Sequence, residues 1–343
     1  MSPLAELILK DVADITAAVD FNEIKDKTFL ITGASGLIGH YLVATLAAAA
    51  EKGNAPKEVL LVSKHEVPEY FKDLTKNLNA RILTGDVSDQ DFFKSIPEAD
   101  YIVHAAGYGQ PGKFMIDPVK TLELNTLGTF ETLKKLRPDG KYLFVSTSEV
   151  YSGLSTPPFK ESQIGTTNTD HPRSCYIEGK RGGEVIVNAY RSKGVQAKSA
   201  RLSLAYGPGT RKDDARVLNS FIKKALMDKK IAMMDHGEAK RTYMYITDAV
   251  EILFDILFKG KDALYNVGGT SRTTIKELAE MIGSYTEAPV TFPETESASA
   301  GAPDDVYLDM TKSETEFNKK NYLPLAEGLK KTIEWQKELY LLK

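Results

Sequence analysis

Two polar side chains four positions apart could perform base catalysis. Tyr176 and Lys180 lie in the segment Tyr-Ile-Glu-Gly-Lys, within a stretch of helical spacing. Residues four apart share one face of a helix, with Cβ atoms about 5–6 Å apart. A free tyrosine has a pKa of about 10, and bringing it near 7 takes roughly 4 kcal/mol of preferential stabilisation of the phenolate. A neighbouring ammonium can contribute to this. The pair therefore predicts a general base for a substrate hydroxyl, although a surface Tyr/Lys pair would show the same spacing.

A second polar group follows a predicted strand over residues 142–146. Ser146 ends the strand, and Thr147, Ser148 and Glu149 come directly after it. In open α/β sheets, ligands bind at the carboxyl ends of the strands. We therefore expect Thr147 to hydrogen-bond the reacting hydroxyl and to share its proton with Tyr176.

A glycine-rich segment supplies a phosphate site. Gly33, Gly36 and Gly39 follow a predicted strand and open a helix expected over His40–Ala50. Glycines permit a tight turn and a close approach of the backbone to a pyrophosphate, and a helix N-terminus offers unpaired N–H groups to that anion. In this strand-to-helix context the motif predicts a bound dinucleotide rather than a bare turn.

The end of the second predicted strand leaves the choice of dinucleotide open. An acid normally stands there to bind the adenosine ribose of NAD, but the chain reads Val62-Ser63-Lys64-His65, with no acid before Glu66. Lys64 could meet the 2′-phosphate of NADP, or it could be a solvated lysine in a loop. We therefore expect NAD as the cofactor and do not exclude NADP.

The elements that must position these residues alternate along the chain. Short apolar runs separated by amphipathic stretches predict β-α-β units and a parallel sheet. The predicted strands cover Thr28–Thr32, Val59–Val62, Arg81–Leu83, Tyr101–His104, Tyr142–Ser146 and Ala197–Leu202. The expected fold class is α/β, a doubly wound parallel sheet of the Rossmann type with a smaller C-terminal α/β domain that binds substrate.

Three regions are expected. Residues 1–26 form an N-terminal helical extension, because the apolar positions from Leu4 to Val19 have helical spacing. Residues 27–207 form the dinucleotide-binding domain with the catalytic residues. Residues 208–343 mainly bind substrate, and they include a short strand over Ala263–Val267 and a last helix over about 325–342.

Composition excludes several classes of function. The 343 residues are 42% hydrophobic and 27% charged, with a formal net charge of −3. This is typical of a globular protein and offers no basic excess for a nucleic-acid partner. A signal peptide or membrane span is not expected. Cys175 is the only cysteine, which suits a reducing compartment, so a cytoplasmic location is expected. The five histidines are dispersed, and no metal site is expected.

Taken together, the motifs resemble the extended short-chain dehydrogenase/reductases, specifically their NAD-dependent sugar-nucleotide epimerase, dehydratase and decarboxylase group. The resemblance extends over nearly everything from Lys27 to Trp335. The matching segments, in order, are the glycine motif, His104-Ala-Ala-Gly107, Asn125 in Leu-Asn-Thr-Leu-Gly-Thr, Ser-Thr147-Ser-Glu-Val-Tyr and Tyr176-x-x-x-Lys180.

The resemblance implies oxidation at carbon 4 of a sugar. Tyr176 would be the base, Lys180 would lower its pKa and hold the cofactor ribose, and Thr147 would assist. The residues expected to contact the cofactor are Gly33, Ser35, Gly36, Leu37, Ile38, Gly39, Asp86, Val87, Ala105, Ala106, Gly107, Asn125, Ser146, Tyr176 and Lys180. The residues expected to contact the sugar nucleotide, which the resemblance implies to be UDP-linked, are Thr147, Ser148, Glu149, Val217 and Arg241. Arg241 would bind the diphosphate, unless it forms an ion pair with a nearby acid.

Within the group, the segments Ser-Thr-Ser-Glu-Val-Tyr and Cys175–Arg181 are most similar to the UDP-glucuronate decarboxylases. In the related 4,6-dehydratases an aspartic acid occupies the position of Ser148, so dehydration is disfavoured. Two departures concern the substrate. The decarboxylases carry an Arg-Lys pair before Pro-Asp, whereas this chain has Pro303-Asp-Asp-Val-Tyr-Leu-Asp309 with no arginine, and Leu204 replaces an asparagine. A sugar-nucleotide 4-epimerase and a non-catalytic nucleotide-binding protein therefore stay as alternatives.

The family also implies a homodimer. Its members commonly pair through two helices, here expected over about Pro118–Leu136 and Tyr176–Arg191.

Overall fold

A computed structural model describes residues 1–294 and 305–341 of the chain. The strands are β1 (Thr28–Thr32), β2 (Glu58–Ser63), β3 (Ala80–Thr84), β4 (Ala99–His104), β5 (Leu136–Thr147), β6 (Gln196–Leu202), β7 (Ala205–Tyr206), β8 (Ile231–Ala232), β9 (Lys240–Tyr245), β10 (Leu264–Val267), β11 (Ser271–Thr274), β12 (Val290–Thr291) and β13 (Asp305–Val306).

The helices flank these strands. They are α1 (Pro3–Asp11), α2 (Ile15–Ala18), α3 (Leu37–Glu51), α4 (Phe71–Thr75), α5 (Gln90–Lys94), α6 (Pro111–Phe114), α7 (Pro118–Asn125), α8 (Leu127–Leu133), α9 (Ser174–Arg191), α10 (Val217–Met227), α11 (Ile246–Lys259), α12 (Ile275–Thr286), α13 (Thr311–Phe317) and α14 (Leu325–Leu341). Short 3₁₀ helices cover Asn22–Ile24 and Ser148–Tyr151.

The large sheet confirms the predicted fold class. Its strand order is β10-β6-β5-β4-β1-β2-β3, and every neighbouring pair is parallel. All five residues of β1 are buried, as expected for a strand with helices on both faces. The order reverses between β1 and β4, and ligands bind at such a switch point.

The C-terminal part forms two smaller sheets. One has β9 between β11 and β13, with β7 also pairing with β9, and the other joins β12 to β8. The division at residue 207 remains a prediction, and one element departs from it. Strand β10, expected in the smaller domain, lies beside β6 in the large sheet. Helix α11 is apolar on most of its surface and packs onto β5 and β6 of the large sheet. The chain that follows α11 therefore reaches the edge of this sheet, where β10 pairs with β6.

The N-terminal extension is helical and part of the core. The Ser2 hydroxyl caps α1, and Leu4, Ile8 and Val12 are fully or almost fully buried. Asp11, at the end of α1, is also buried and accepts hydrogen bonds from the hydroxyls of Tyr41 and Tyr245 and from the Lys331 ammonium. This carboxylate therefore connects the extension to both α3 and α14. Across the described ranges, no helix is long and apolar enough to cross a membrane.

Candidate active site

A cavity of about 780 Å³ opens at the carboxyl ends of the central strands. Most of the residues predicted for the site line it. They are Gly33, Ser35, Gly36, Leu37, Ile38, Gly39, Asp86, Val87, Ala105, Ala106, Gly107, Ser146, Thr147, Ser148, Glu149, Tyr176 and Lys180. The glycine-rich turn and the Tyr/Lys pair, more than 130 positions apart in the chain, therefore face one space.

The glycine-rich turn has the close packing that a pyrophosphate cradle requires. Gly33 has a φ of +74°, and a Cβ there would lie 2.7 Å from the carbonyl oxygen of Ala105. A Cβ on Gly39 would lie 2.4 Å from the Gly33 carbonyl oxygen, so only glycine fits. Helix α3 begins at Leu37 without a side-chain cap at Gly36. Its first N–H groups and its dipole thus suit a phosphate anion, and the turn fits a dinucleotide.

Asp86 and Val87 border the cavity after β3. Asp86 forms an ion pair with Lys120 at 3.1 Å. Burial alone would raise the pKa of Asp86, but hydrogen bonds from Ser88 and Lys120 outweigh it and lower the pKa to about 2. The carboxylate is therefore ionised at neutral pH and already neutralised by a lysine. Val87 is buried and offers an apolar wall beside it.

The candidate base Tyr176 is almost fully buried in the cavity wall. The residue is 8% exposed, and its ring stacks on the ring of Phe114, with centroids 4.6 Å apart. Burial raises the pKa of the Tyr176 hydroxyl to about 12, while its hydrogen bond with Thr147 opposes that rise. Thr147 therefore acts on Tyr176 from nearby, and the sharing of a proton between the two stays a prediction.

Lys180 shares the helix face of Tyr176 but does not by itself make the tyrosine acidic. Its ammonium donates to the carbonyl oxygen of Val145 at 2.7 Å and lies 5.9 Å from the centroid of the Tyr176 ring. Burial lowers the pKa of Lys180 to about 7. The protein alone thus raises the pKa of Tyr176, in contrast to the expected lowering, because desolvation exceeds the effect of the nearby cations.

Asn125 lies behind the Tyr/Lys pair and does not line the cavity itself. Its side-chain amide donates to the Thr121 carbonyl oxygen at 2.7 Å, and its buried Oδ1 has no hydrogen-bond partner among the described residues. A Cβ on Gly107 would lie 3.4 Å from this oxygen and 3.7 Å from the Lys180 ammonium. The predicted Asn125, Gly107 and Lys180 are thus close neighbours, and an acceptor is available beside the lysine.

Glu149 is held by an arginine that the sequence did not single out. Arg173 donates to both carboxylate oxygens of Glu149, through Nε at 3.0 Å and through a short contact from Nη2. The guanidinium also lies 5.5 Å from the centroid of the Phe114 ring. Arg173 precedes Tyr176 by three positions, which places it at the start of α9, next to the candidate base.

The remaining hydroxyls of this segment differ in their roles. Ser146 donates to the buried carboxylate of Glu184 at 2.6 Å, and Arg201 donates to both oxygens of that carboxylate. Ser146 therefore belongs to a buried polar network as well as to the cavity wall. Ser148 is half-buried and lines the cavity between Thr147 and Glu149.

Val217 and Arg241 do not line this cavity. Val217 is 42% exposed at the first position of α10. Arg241 lies on β9 and donates to the carbonyl oxygen of Lys240 at 2.7 Å. Burial lowers the pKa of Arg241, and the charges of Tyr243 and Glu149 oppose that effect. Their predicted contacts with a sugar nucleotide remain predictions.

Several lining residues were missed by the sequence reasoning. Phe114 comes from the short helix α6, whose sequence shows no catalytic motif. Arg216 lines the cavity and donates to both carboxylate oxygens of Asp214, through Nε to Oδ1 at 3.1 Å and through Nη2 to Oδ2 at 2.6 Å. The acid two positions before Arg216 was the available signal in the sequence. Leu204, the residue in place of an asparagine, also lines the cavity.

A Rossmann sheet with a phosphate cradle and a Thr–Tyr–Lys set in the same cavity defines the class of nicotinamide-dependent oxidoreductases. Comparison with known proteins narrows this class. Residues 29–268 match the model of the NAD dependent epimerase/dehydratase family, and the chain belongs to that family.

Curated proteins similar to this chain are decarboxylases. UDP-glucuronic acid decarboxylase 1 of Xenopus tropicalis is 30% identical over 339 residues, which cover 94% of this chain and 75% of that protein. UDP-glucuronic acid decarboxylase 6 of Arabidopsis thaliana is 31% identical over 312 residues, covering 88% of this chain and 86% of that protein.

Solved structures share the fold. Epimerase Mth375 of Methanothermobacter thermautotrophicus aligns with a TM-score of 0.81 at 22% identity, covering 96% of this chain and 97% of that one. DesIV, a dTDP-glucose 4,6-dehydratase of Streptomyces venezuelae solved with NAD and TYD bound, aligns with a TM-score of 0.79 at 23% identity, covering 91% and 97%. At such identities these similarities establish the fold alone.

Proposed function

We propose that this protein decarboxylates UDP-glucuronate through transient oxidation at carbon 4 of the sugar. The observation that carries the proposal is the Thr147-Ser148-Glu149 segment beside Tyr176, with Arg173 on Glu149. The identity of about 30% to UDP-glucuronic acid decarboxylases over most of the chain supports the same reaction.

The first step requires a base at the carbon 4 hydroxyl. Tyr176 accepts the hydroxyl proton, and Thr147, which lowers the pKa of Tyr176 from nearby, hydrogen-bonds the same hydroxyl. Removal of a hydride from carbon 4 and its later return are the chemistry that a bound nicotinamide dinucleotide supplies. The positive charge of its oxidised ring would favour the Tyr176 phenolate and offset the effect of burial on the pKa.

The second step breaks the bond between carbon 5 and the carboxyl carbon. With a ketone at carbon 4 the substrate is a β-keto acid, so carbon dioxide leaves and its bonding electrons form an enolate over carbons 5 and 4. Carbon 5 then takes a proton that comes from solvent, and Glu149 and Ser148 are the candidates for handling this intermediate. Return of the hydride to carbon 4 and of the proton from Tyr176 completes a UDP-pentose with no net oxidation.

The side chain at position 148 argues against dehydration. Elimination of water from the sugar needs an acid to protonate the departing hydroxyl. Ser148 lies in the cavity at the expected position, but a serine hydroxyl does not act as that acid at neutral pH. The enzymatic alternative is a 4-epimerase, in which the 4-keto sugar rotates in the site and carbon 4 takes the hydride back on its other face.

The substrate carboxylate needs a cation. The positions before Pro303, where the decarboxylases carry their Arg-Lys pair, are Gly301 and Ala302 in this sequence and lie outside the described residues. Arg173 is a candidate replacement, because the bidentate pair with Glu149 uses two of the five N–H donors of its guanidinium. The other donors can bind a uronate carboxylate, which would otherwise be repelled by Glu149.

Other parts of the proposal rest on the family. Arg241 binds the diphosphate and Val217 lies against the uracil. Two copies pair through α7, α8 and α9, whose exposed apolar side chains include Val119, Phe130 and Val185. The buried thiol of Cys175 suits a reducing, cytoplasmic location.

Mass spectrometry of products tests the proposal. The purified protein is incubated with a dinucleotide and UDP-glucuronate that carries ¹³C in its carboxyl group. Decarboxylation predicts release of all the label as carbon dioxide, together with a UDP-pentose. A sugar nucleotide of unchanged mass but altered stereochemistry would establish the 4-epimerase instead, and no conversion despite bound cofactor would favour a nucleotide-binding protein without turnover.

A further inference from the structure

The adenosine-ribose end of the cofactor cavity carries a lysine, Lys64, and no acid directly after the second strand. In Rossmann domains, an acid at the end of the second strand binds the ribose 2′-hydroxyl of NAD, whereas a cation there accommodates the 2′-phosphate of NADP. Here β2 ends at Ser63, and Lys64 and His65 follow it along the cavity wall. Glu66, the first acid after the strand, lines a neighbouring groove and not the cofactor cavity.

The hydrogen bonds of Ser63, the last residue of β2, are consistent with the absence of an acid at this position. The Ser63 hydroxyl lies 2.8 Å from the hydroxyl of Ser35 in the glycine-rich turn, and 2.8 Å from the carbonyl oxygen of His65. A carboxylate in place of Ser63 would instead lie directly beside the Ser35 hydroxyl. The position that usually selects against a 2′-phosphate thus carries a small neutral group, with a second hydroxyl beside it.

Lys64 is placed to meet an anion. Its side chain is 43% exposed, and its ammonium lies 3.5 Å from Asp86 and 3.3 Å from the Tyr108 hydroxyl. Asp86 has partners besides Lys64, because Lys120, which also pairs with Glu123, lies 3.1 Å from it and the Ser88 hydroxyl donates to it at 2.8 Å. The lysine can therefore pair with an incoming phosphate at little cost to Asp86.

We propose that Lys64, together with the Ser35 hydroxyl, forms a subsite for the 2′-phosphate of an adenine dinucleotide, so that the cavity prefers NADP(H) to NAD(H). The proposal rests on the cofactor site of the proposed function but not on its sugar substrate.

Calorimetric titration with two fragments isolates the 2′-phosphate. Adenosine 2′,5′-bisphosphate and AMP differ by that group alone. The wild-type protein, freed of co-purified nucleotide, should bind the bisphosphate about tenfold more tightly than AMP, a ratio appropriate to one charge-assisted contact. Lys64→Ala should remove that preference and leave the affinity for AMP within about twofold.

Two further variants define the result. Lys94→Ala removes an exposed lysine that pairs with Asp91 outside the cavity, and it should keep the preference. Ser63→Asp should reverse it in favour of AMP, with the melting temperature showing that the protein is folded. Tighter binding of AMP than of the bisphosphate by the wild type, or an unchanged preference in Lys64→Ala, would overturn the proposal.

The test of the 2′-phosphate subsite and the test of decarboxylation can fail independently. The fragments bind without turnover, so a negative titration leaves decarboxylation of UDP-glucuronate untouched. The dinucleotide released from freshly purified protein by denaturation gives an independent readout by mass spectrometry. NADP in that extract supports the subsite, and NAD alone contradicts it.

Discussion

The ring of Phe114 lies flat against the ring of Tyr176, with centroids 4.6 Å apart and planes within 2° of parallel. A hydrogen bond from the Cys175 thiol to the Phe114 carbonyl oxygen, at 3.4 Å, fixes this arrangement. One face of the candidate base is thereby closed to water, while its hydroxyl contacts Thr147. The same stacking explains why burial raises the pKa of the hydroxyl.

Loss of the Tyr176 hydroxyl should abolish the chemistry without unfolding the protein. Tyr176→Phe keeps the stack on Phe114 but removes the proton acceptor. We expect turnover of UDP-glucuronate to fall by about 10²- to 10⁴-fold, with dinucleotide binding retained in a titration. Tyr190→Phe, on the same helix but outside the cavity, serves as control and should keep its turnover. Equal activity in Tyr176→Phe and wild type would exclude this residue as the base.

Replacement of Arg173 should separate charged from neutral substrates. In Arg173→Gln the carboxylate of Glu149 loses its partner, and a uronate carboxylate meets uncompensated negative charge. We expect binding of UDP-glucuronate to weaken by about tenfold or more, while binding of UDP-glucose changes little. Arg173→Lys should restore part of the affinity. Equal losses for the two sugar nucleotides would mean that Arg173 acts only on the local structure.

Two buried histidines should make stability depend on pH. Burial lowers the pKa of His40 to about 4 and that of His104 to about 3. In the unfolded chain both titrate near 6.5. Their stabilising contribution is therefore complete above pH 6.5 and is lost as the pH falls toward 4, at about 1.4 kcal/mol per pH unit for each histidine.

Urea unfolding at pH 7 and pH 5 measures this loss. The free energy of unfolding should fall by roughly 3–4 kcal/mol between the two values. His40→Gln should lose about half of that dependence, whatever its stability at pH 7. A variant with the same pH dependence as the wild type would show that the pKa of His40 is the same in the folded and the unfolded chain.

Much of the fold followed from local sequence. Strand β1 was predicted at its observed bounds because its five apolar or buried residues stand between turn residues, and the glycine-rich turn after it requires the conformation found at Gly33. Strand β5 begins six residues earlier than expected, at Leu136. Its first part contains a proline, a glycine and Asp139 at a φ of 62°, which read as a turn and not as a strand.

The sequence predicted those site residues that lie together in one short segment of the chain. Tyr176 and Lys180 share a helix face, so their spacing was informative. Phe114 and Arg173 were missed, because each acquires its place only by packing with a residue from another element. The pKa of Tyr176 was also expected to fall, and helical spacing contains no information on the burial that raises it.

A homodimer should depend on the apolar face of α7, α8 and α9. Val119 and Val185 are each 66% exposed, and a lysine at either position would bring charge into the expected interface. We expect Val119→Lys and Val185→Lys to shift the protein from dimer to monomer in analytical ultracentrifugation. Ile164→Lys, at a position 52% exposed elsewhere, should leave the dimer intact. Monomeric wild-type protein at micromolar concentration would contradict the proposal.

The most direct test of the central claim is NMR of the product formed from UDP-glucuronate in deuterium oxide. Oxidation at carbon 4 followed by loss of carbon dioxide leaves an enolate that must take a proton from solvent at carbon 5. The account therefore predicts a UDP-pentose with one deuterium at carbon 5 and none at carbon 4. A sugar nucleotide that retains its carboxylate, or a pentose with deuterium at carbon 4, would contradict it.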